Sequence, residues 1–249
     1  MSEHLRHKYS RQDIQAYFFG NPQKISEKIL FIKKDDRLDE YKQHIQVIEE
    51  FGNVWEGFTG LLRGEDVTII ATGIGPTMVG DCVYSVDKVG AICLYSGTCG
   101  GIKFGEIGNY FLAEEAVCGD GFSLMMGYDF LARVKADSRV LKVTEKAFQS
   151  VGKRIIKGTS FTTSSVTRET DEDFWRMVPD DCAAIEMGCA SFYSAALASS
   201  KKPVAFFWIS DLPLGRKSFF DVLTEIDRNK KQNARELSVG TELQILGQV

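Results

Sequence analysis

"DVTIIATGIGPTMVGDCVYSVDKVGAICLYSGTCGG", residues 66–101, decides the fold. Its first ten residues are a β-branched apolar run closing on glycines, the composition of a buried strand. Pro76 is a favoured first helical residue and Gly90 a stop, so 76–90 reads as a helix. Residues 91–101 read as a second strand running into a glycine turn. A strand, a helix and a strand in so short a span form a β-α-β unit.

The same alternation continues outward. Residues 107–117 are a third strand candidate. Residues 137–152 open on Asp137, an N-cap type, and carry Val140, Val143, Ala147 and Val151 at helical spacing. Residues 154–163 read as a strand, 189–200 as a small-residue helix, 203–211 as a buried strand, and 218–246 as one or two helices. No repeat or linker divides the chain, so we expect one α/β domain over 1–249, with helices on both faces of a mixed, largely parallel sheet.

Composition narrows the function classes. With 249 residues, 44% of them hydrophobic, the chain can bury a large core without disulfides or metals. A net charge of −4 gives no sign of a nucleic-acid surface. Cys82, Cys93, Cys99, Cys118, Cys182 and Cys189 form no CxxC pair and lie mostly in apolar runs, so buried reduced thiols are expected. His4, His7 and His44 make no ligand cluster, and no metal site is expected. No apolar run approaches the length of a membrane span, and the first residues lack the apolar core of a signal peptide. A reducing cytoplasm fits this pattern.

Ligands of such sheets sit beyond the carboxyl ends of the strands. Four strand ends carry glycines or polar groups: "TGIG", "SGTCGG", "TSFTTSS" and "SDLP". The first has the spacing G-x-G-x-x-x-x-G, which departs from the dinucleotide fingerprint, and no acid follows at the required distance. It reads as a tight turn whose N–H groups approach an anion or ligand. Gly97, Thr98, Gly100 and Gly101 read as a ligand-facing loop. Asp211 ends a buried strand, where it is either a turn aspartate or a carboxyl with a raised pKa able to act as an acid. Residues 160–177 are hydroxyl-rich and then acidic, which also suits a solvated loop and a helix start.

Taken in order, "YSRQDIQAYFFGNPQK" (9–24), "WEGFTGLLRGEDVTIIATGIG" (55–75), "LYSGTCGGI" (94–102), "AAIEMG" (183–188) and "WISDLP" (208–213) resemble the motifs of the nucleoside phosphorylase and nucleosidase family. The resemblance covers nearly the whole chain. Within the family, "SFTTSSVTRETDEDF" and "ISDLPL" are most similar to the short AMP nucleosidase type. It implies the αβα nucleoside phosphorylase fold, a homo-oligomer (a dimer or a hexamer) sharing residues between subunits, and cleavage of the N-glycosidic bond of a purine nucleoside or nucleotide. No cofactor is implied; inorganic phosphate would be co-substrate in a phosphorylase.

Residue by residue, the resemblance places Asp211 at the acid that protonates purine N7, and Glu186 and Met187 at the ribose. His7 stands near the histidine a partner lends to the sugar. Gly20, Lys24 and Thr98 fall on the anion loops, and Cys99, Gly100, Phe161 and Val166 on the base pocket. Phe161 could equally be core.

The chain also departs from the family pattern. The three phosphate-clamping arginines fall on Lys24, Tyr95 and near Asn53, which favours water over phosphate as nucleophile. A phosphorylase rebuilding its anion site from Lys24, Thr98 and Arg63 is the alternative. The carboxylate that accepts the ribose diol falls on Gly188. Two hydrogen bonds to a charged group, at about 1.5–3 kcal/mol each, are lost there. A nucleoside-binding or storage protein without turnover is a third expectation.

Overall fold

Strand positions set the fold, and they are described for residues 9–33, 37–103, 105–215 and 217–249 of a computed structural model. In chain order the elements are α1 (Arg11–Phe19), β1 (Lys28–Ile32), α2 (Leu38–Lys42), β2 (Gln46–Gly52), β3 (Glu56–Leu62) and β4 (Glu65–Ala71). Then come α3 (Pro76–Ser85), β5 (Ile92–Gly101), β6 (Tyr110–Gly119), α4 (Gly121–Met125), β7 (Arg133–Lys135), α5 (Ser138–Ser150) and β8 (Ile155–Thr163). The chain ends with α6 (Glu172–Trp175), β9 (Cys182–Glu186), α7 (Cys189–Ala198), β10 (Lys202–Asp211) and α8 (Glu225–Leu246).

The β4-α3-β5 unit forms as its sequence requires, with β1 inserted between the two strands and parallel to both. β10 continues the parallel set beside β5. On the other flank, β3 and β2 add antiparallel. β6, β8 and β9 run parallel to one another, β6 pairs antiparallel with β10, and β9 meets the end of β5 at Gly100 and Gly101. That last contact closes β10, β6, β8, β9 and β5 into a ring. The sheet is thus mixed: open on the β2 side and closed around the β5 end.

Alternation along the central strands builds two cores. Phe31, Tyr95 and Phe207 point to the face covered by α3 and α7, where Phe192, Val79 and Val83 pack. Leu30, Leu94, Phe206 and Trp208 point to the other face, under α5 and α8, with Phe148, Leu243 and Leu246. Side chains of a strand alternate by geometry, so a strand covered on both sides must be apolar throughout. This explains the unbroken run at 203–209. Small residues in α7 let it lie flat on β6 and against α3; all of Cys189–Ala196 is buried.

Several boundaries differ from the sequence reading. α3 stops at Ser85, before Gly90, and β5 continues as a strand through its glycines to Gly101. The chain end forms one helix, capped by Thr224 rather than starting near 218. All six cysteines are buried and free. Among the described residues, no helix is long and apolar enough to cross a membrane.

Candidate active site

β5 and β10 deliver the first polar groups. They run parallel with Asp211 opposite Gly100, and a bulge between Ile209 and Asp211 breaks the register. A bulge re-aims the side chains that follow it. Here it turns Asp211 into a cavity of about 280 Å³ with Ser210 beside it. The Ser210 hydroxyl donates to an Asp211 carboxylate oxygen at 2.7 Å. Burial pushes the Asp211 pKa up, and the Ser210 bond, Lys231 and the Phe219 N–H only partly offset it.

β9 supplies the opposite wall. Glu186 ends that strand, and its carboxylate accepts the N–H of Gly188 at 2.5 Å and of Cys189 at 2.6 Å, capping α7. The Thr162 hydroxyl donates to the other carboxylate oxygen and accepts the Ala190 N–H at 2.8 Å. Burial raises the Glu186 pKa to about 7 against these bonds. Both oxygens therefore already have structural partners, and Met187 alone of the pair is half-exposed to the cavity.

The remaining lining comes from loops and the floor. Ile74 and Gly75 follow β4, Lys33 follows β1, Tyr95 and Phe207 form the floor, and Phe219 closes the rim. Val166 and Glu169 reach in from a short 3-10 turn at Val166–Thr170. The Glu169 pKa rises to about 7, through burial first and the charge of Asp211 second. Glu169 and Asp211 thus form an interacting pair of carboxyl groups in this pocket, and such a pair cannot ionise independently.

The structure brings together Asp211, Glu186, Met187, Thr98, Cys99, Gly100 and Val166. It does not bring in Lys24, Gly20, Arg63, Phe161 or Asn53. Lys24 precedes β1, at the end of the parallel strands opposite the cavity, and its ammonium sits 2.6 Å from Asp66. The loop leaving the carboxyl end of β1 begins at Lys33, which lines the cavity. Gly20 is the left-handed C-cap of α1 (φ 73°), and a side chain there would press on the Gly52 carbonyl at 2.9 Å. Arg63 lies in the exposed turn between β3 and β4, also at the far end. Phe161 packs edge-on to Phe174 in a separate small core. His7 lies outside the described residues. Asn53 donates to the Tyr17 carbonyl at 2.6 Å.

The glycine loop has two parts. Side chains at Gly100 or Gly101 would collide with Pro213, Ile185 or Leu212 at about 3 Å, so these two serve the strand crossing. Gly97 and Thr98 face the cavity. They also border a larger cavity of about 740 Å³ on the other face of the sheet, walled by Lys33, Arg37, Arg228, Lys231 and Arg235. Arg37 there holds Glu40 at 3.2 Å and the Arg235 carbonyl at 3.0 Å.

Sequence reasoning missed Lys33, Glu169, Phe207, Ser210 and Phe219. Ser210 had a signal, its place beside Asp211 in "SDLP"; Glu169 had none within an acidic run.

A family model described as Phosphorylase superfamily matches residues 29–239. No match is found among curated proteins. Among solved structures, the uridine phosphorylase of Vibrio fischeri ES114 is 17% identical, with 91% of this chain and 93% of that one covered and a TM-score of 0.74. The purine nucleoside phosphorylase of Toxoplasma gondii, in complex with immucillin-H, is 17% identical over 89% and 90%, with a TM-score of 0.70. The AMP nucleosidase of Bacteroides thetaiotaomicron VPI-5482 is 21% identical over 88% and 90%, with a TM-score of 0.63. These likenesses carry the fold.

Proposed function

The chain belongs to the phosphorylase superfamily, and from that premise we propose that it cleaves the N-glycosidic bond of a purine nucleoside or nucleotide. One observation carries the reading: a buried carboxyl, Asp211, is re-aimed by a bulge into a cavity at the carboxyl ends of the strands. Burial shifts its pKa upward, in the direction a proton donor needs. Protonating N7 makes the purine a better leaving group as the C1′–N9 bond breaks and the sugar becomes oxocarbenium-like. Pyrimidines lack N7, so the acid favours purines.

Water is the nucleophile in this reading. It adds to C1′ and gives up a proton to solvent, and the base leaves with the proton from Asp211. Tyr95 stands where the resemblance puts an arginine, and Lys33 is the one cation among the described residues lining the cavity. Phosphorolysis is the second reading, favoured by the cation-walled cavity that meets the first at Lys33 and Thr98. A panel of nucleosides and nucleotides, assayed for base release with and without phosphate, separates them. Release from purine substrates without phosphate is expected; release only with phosphate selects the second reading. No release and no binding at millimolar ligand would sink both.

We also expect a homo-oligomer in a reducing, cytoplasmic setting. The exposed apolar side chains Leu124, Met125, Phe130 and Leu131, close together in sequence, support association. Sedimentation equilibrium at micromolar concentration checks it, and a clean monomer of 27.8 kDa refutes it.

A further inference from the structure

Gly188 and Tyr95 are far apart in sequence and meet at the wall of the cavity that Tyr95 lines. Gly188 sits at φ −168° and ψ −11°, outside the left-handed region that favours glycine, and space limits what the position can carry. A Cβ there would lie 2.8 Å from the Tyr95 hydroxyl oxygen and 3.0 Å from Val79 Cγ2. Contacts that short demand that something move, and Tyr95 cannot move cheaply. Its ring packs at 5.2 Å on Phe192 and edge-on at 5.5 Å to Phe207, and the residue is only 6% exposed. The tyrosine thus fills the room that a side chain at 188 would need.

The Tyr95 hydroxyl lines the cavity alongside Glu186, Met187 and Asp211 and has no hydrogen-bond partner among the described residues. That hydroxyl is therefore available to a ligand in the cavity. The neighbouring carboxylate does not engage it, because Thr162 and the N–H groups of Gly188 and Cys189 occupy Glu186. Burial, and secondly the charge of Glu186, hold the phenol in its neutral, proton-donating form.

We propose that Tyr95 and Gly188 act as one coupled sugar-recognition element, in which the Tyr95 hydroxyl donates a hydrogen bond to a single sugar oxygen. The proposal rests on the nucleoside-cleaving reading above. A carboxylate at 188 would accept from two adjacent hydroxyls and so demand a cis-diol. A neutral donor needs one acceptor oxygen. The ligand class is therefore a nucleoside whose sugar need not carry the 2′-hydroxyl, ribosides and 2′-deoxyribosides alike.

The test has a ligand arm and a steric arm. In the wild type, kcat/KM for matched ribo- and 2′-deoxyribonucleosides should agree within about tenfold, since no buried group depends on the missing hydroxyl. Tyr95→Phe keeps the ring and should leave Tm unchanged while lowering kcat/KM for both by about three- to tenfold, the scale of one hydrogen bond. In the steric arm, Gly188→Glu alone should lower Tm sharply or fail to fold. The same change in a Tyr95→Ala background should cost much less against that background, and the double variant should now prefer ribose. Unchanged kinetics in Tyr95→Phe, or a Gly188→Glu protein as stable as wild type, overturns the proposal. A wild type that neither binds nor cleaves any nucleoside overturns the underlying reading as well, while the Tm comparison still reports on the steric coupling.

Discussion

Replacing Asp211 by Asn is expected to lower purine release by at least about a hundredfold, the scale of general acid catalysis, with substrate binding little changed. The amide keeps the shape and the Ser210 bond but has no proton to give. The pH dependence follows from the pocket. Asp211 is raised by burial, and Glu169 is raised to about 7 by burial and by Asp211. A donor must be protonated, so activity should fall on the alkaline side as this pair ionises. Glu169→Gln removes the carboxyl whose pKa burial and the charge of Asp211 raise to about 7, and the alkaline limb should shift if that group contributes to it. Unchanged turnover in Asp211→Asn removes Asp211 from the reaction. A limb that stays in place in Glu169→Gln separates the two carboxyls.

What the sequence disclosed follows the range of the interactions involved. The β4-α3-β5 unit was legible because its signals are local: β-branched residues, Pro76 at a helix start and glycines at strand ends. β1 went unread, and one error followed from it. Without knowing where β1 ends, the sequence reading puts Lys24 at the site, whereas it lies at the end of the sheet opposite the cavity. Phe161 was misjudged by parity, since a strand sends neighbours to opposite sides: Phe161 enters a core, whereas Thr162 reaches the Glu186 carboxylate. Glu169 looked like one more solvated acid because only tertiary folding brings its turn to Asp211. The glycine at 188 was visible as a missing acid, but its cause lies in Tyr95, and no local pattern links the two.

Glu186 illustrates how a residue matched to the sugar can first serve the scaffold. Its carboxylate holds the first turn of α7 and, through Thr162, ties that turn to β8. Glu186→Ala strands two buried N–H groups and should destabilise the protein by roughly 3 kcal/mol or more, since each unpaired buried donor costs about 1–3 kcal/mol. For a domain of this size that is a fall in Tm of roughly 6–12 °C. Glu186→Gln keeps an acceptor for the N–H groups and should cost less, but it abolishes titration. The folded pKa of Glu186 is raised to about 7 from 4.5. A raised folded pKa means stability present below the unfolded value and lost as pH rises through the folded one. Wild-type stability should therefore decline between about pH 4.5 and 7, and that slope should flatten in Glu186→Gln. Thermal melts across this window measure it. Equal slopes in the two proteins would show that another group titrates, and an unchanged Tm in Glu186→Ala would show that α7 is held without the cap. If both expected results are found, the Glu186 hydrogen bonds serve the helix, and the Tyr95 hydroxyl beside it remains available to the sugar.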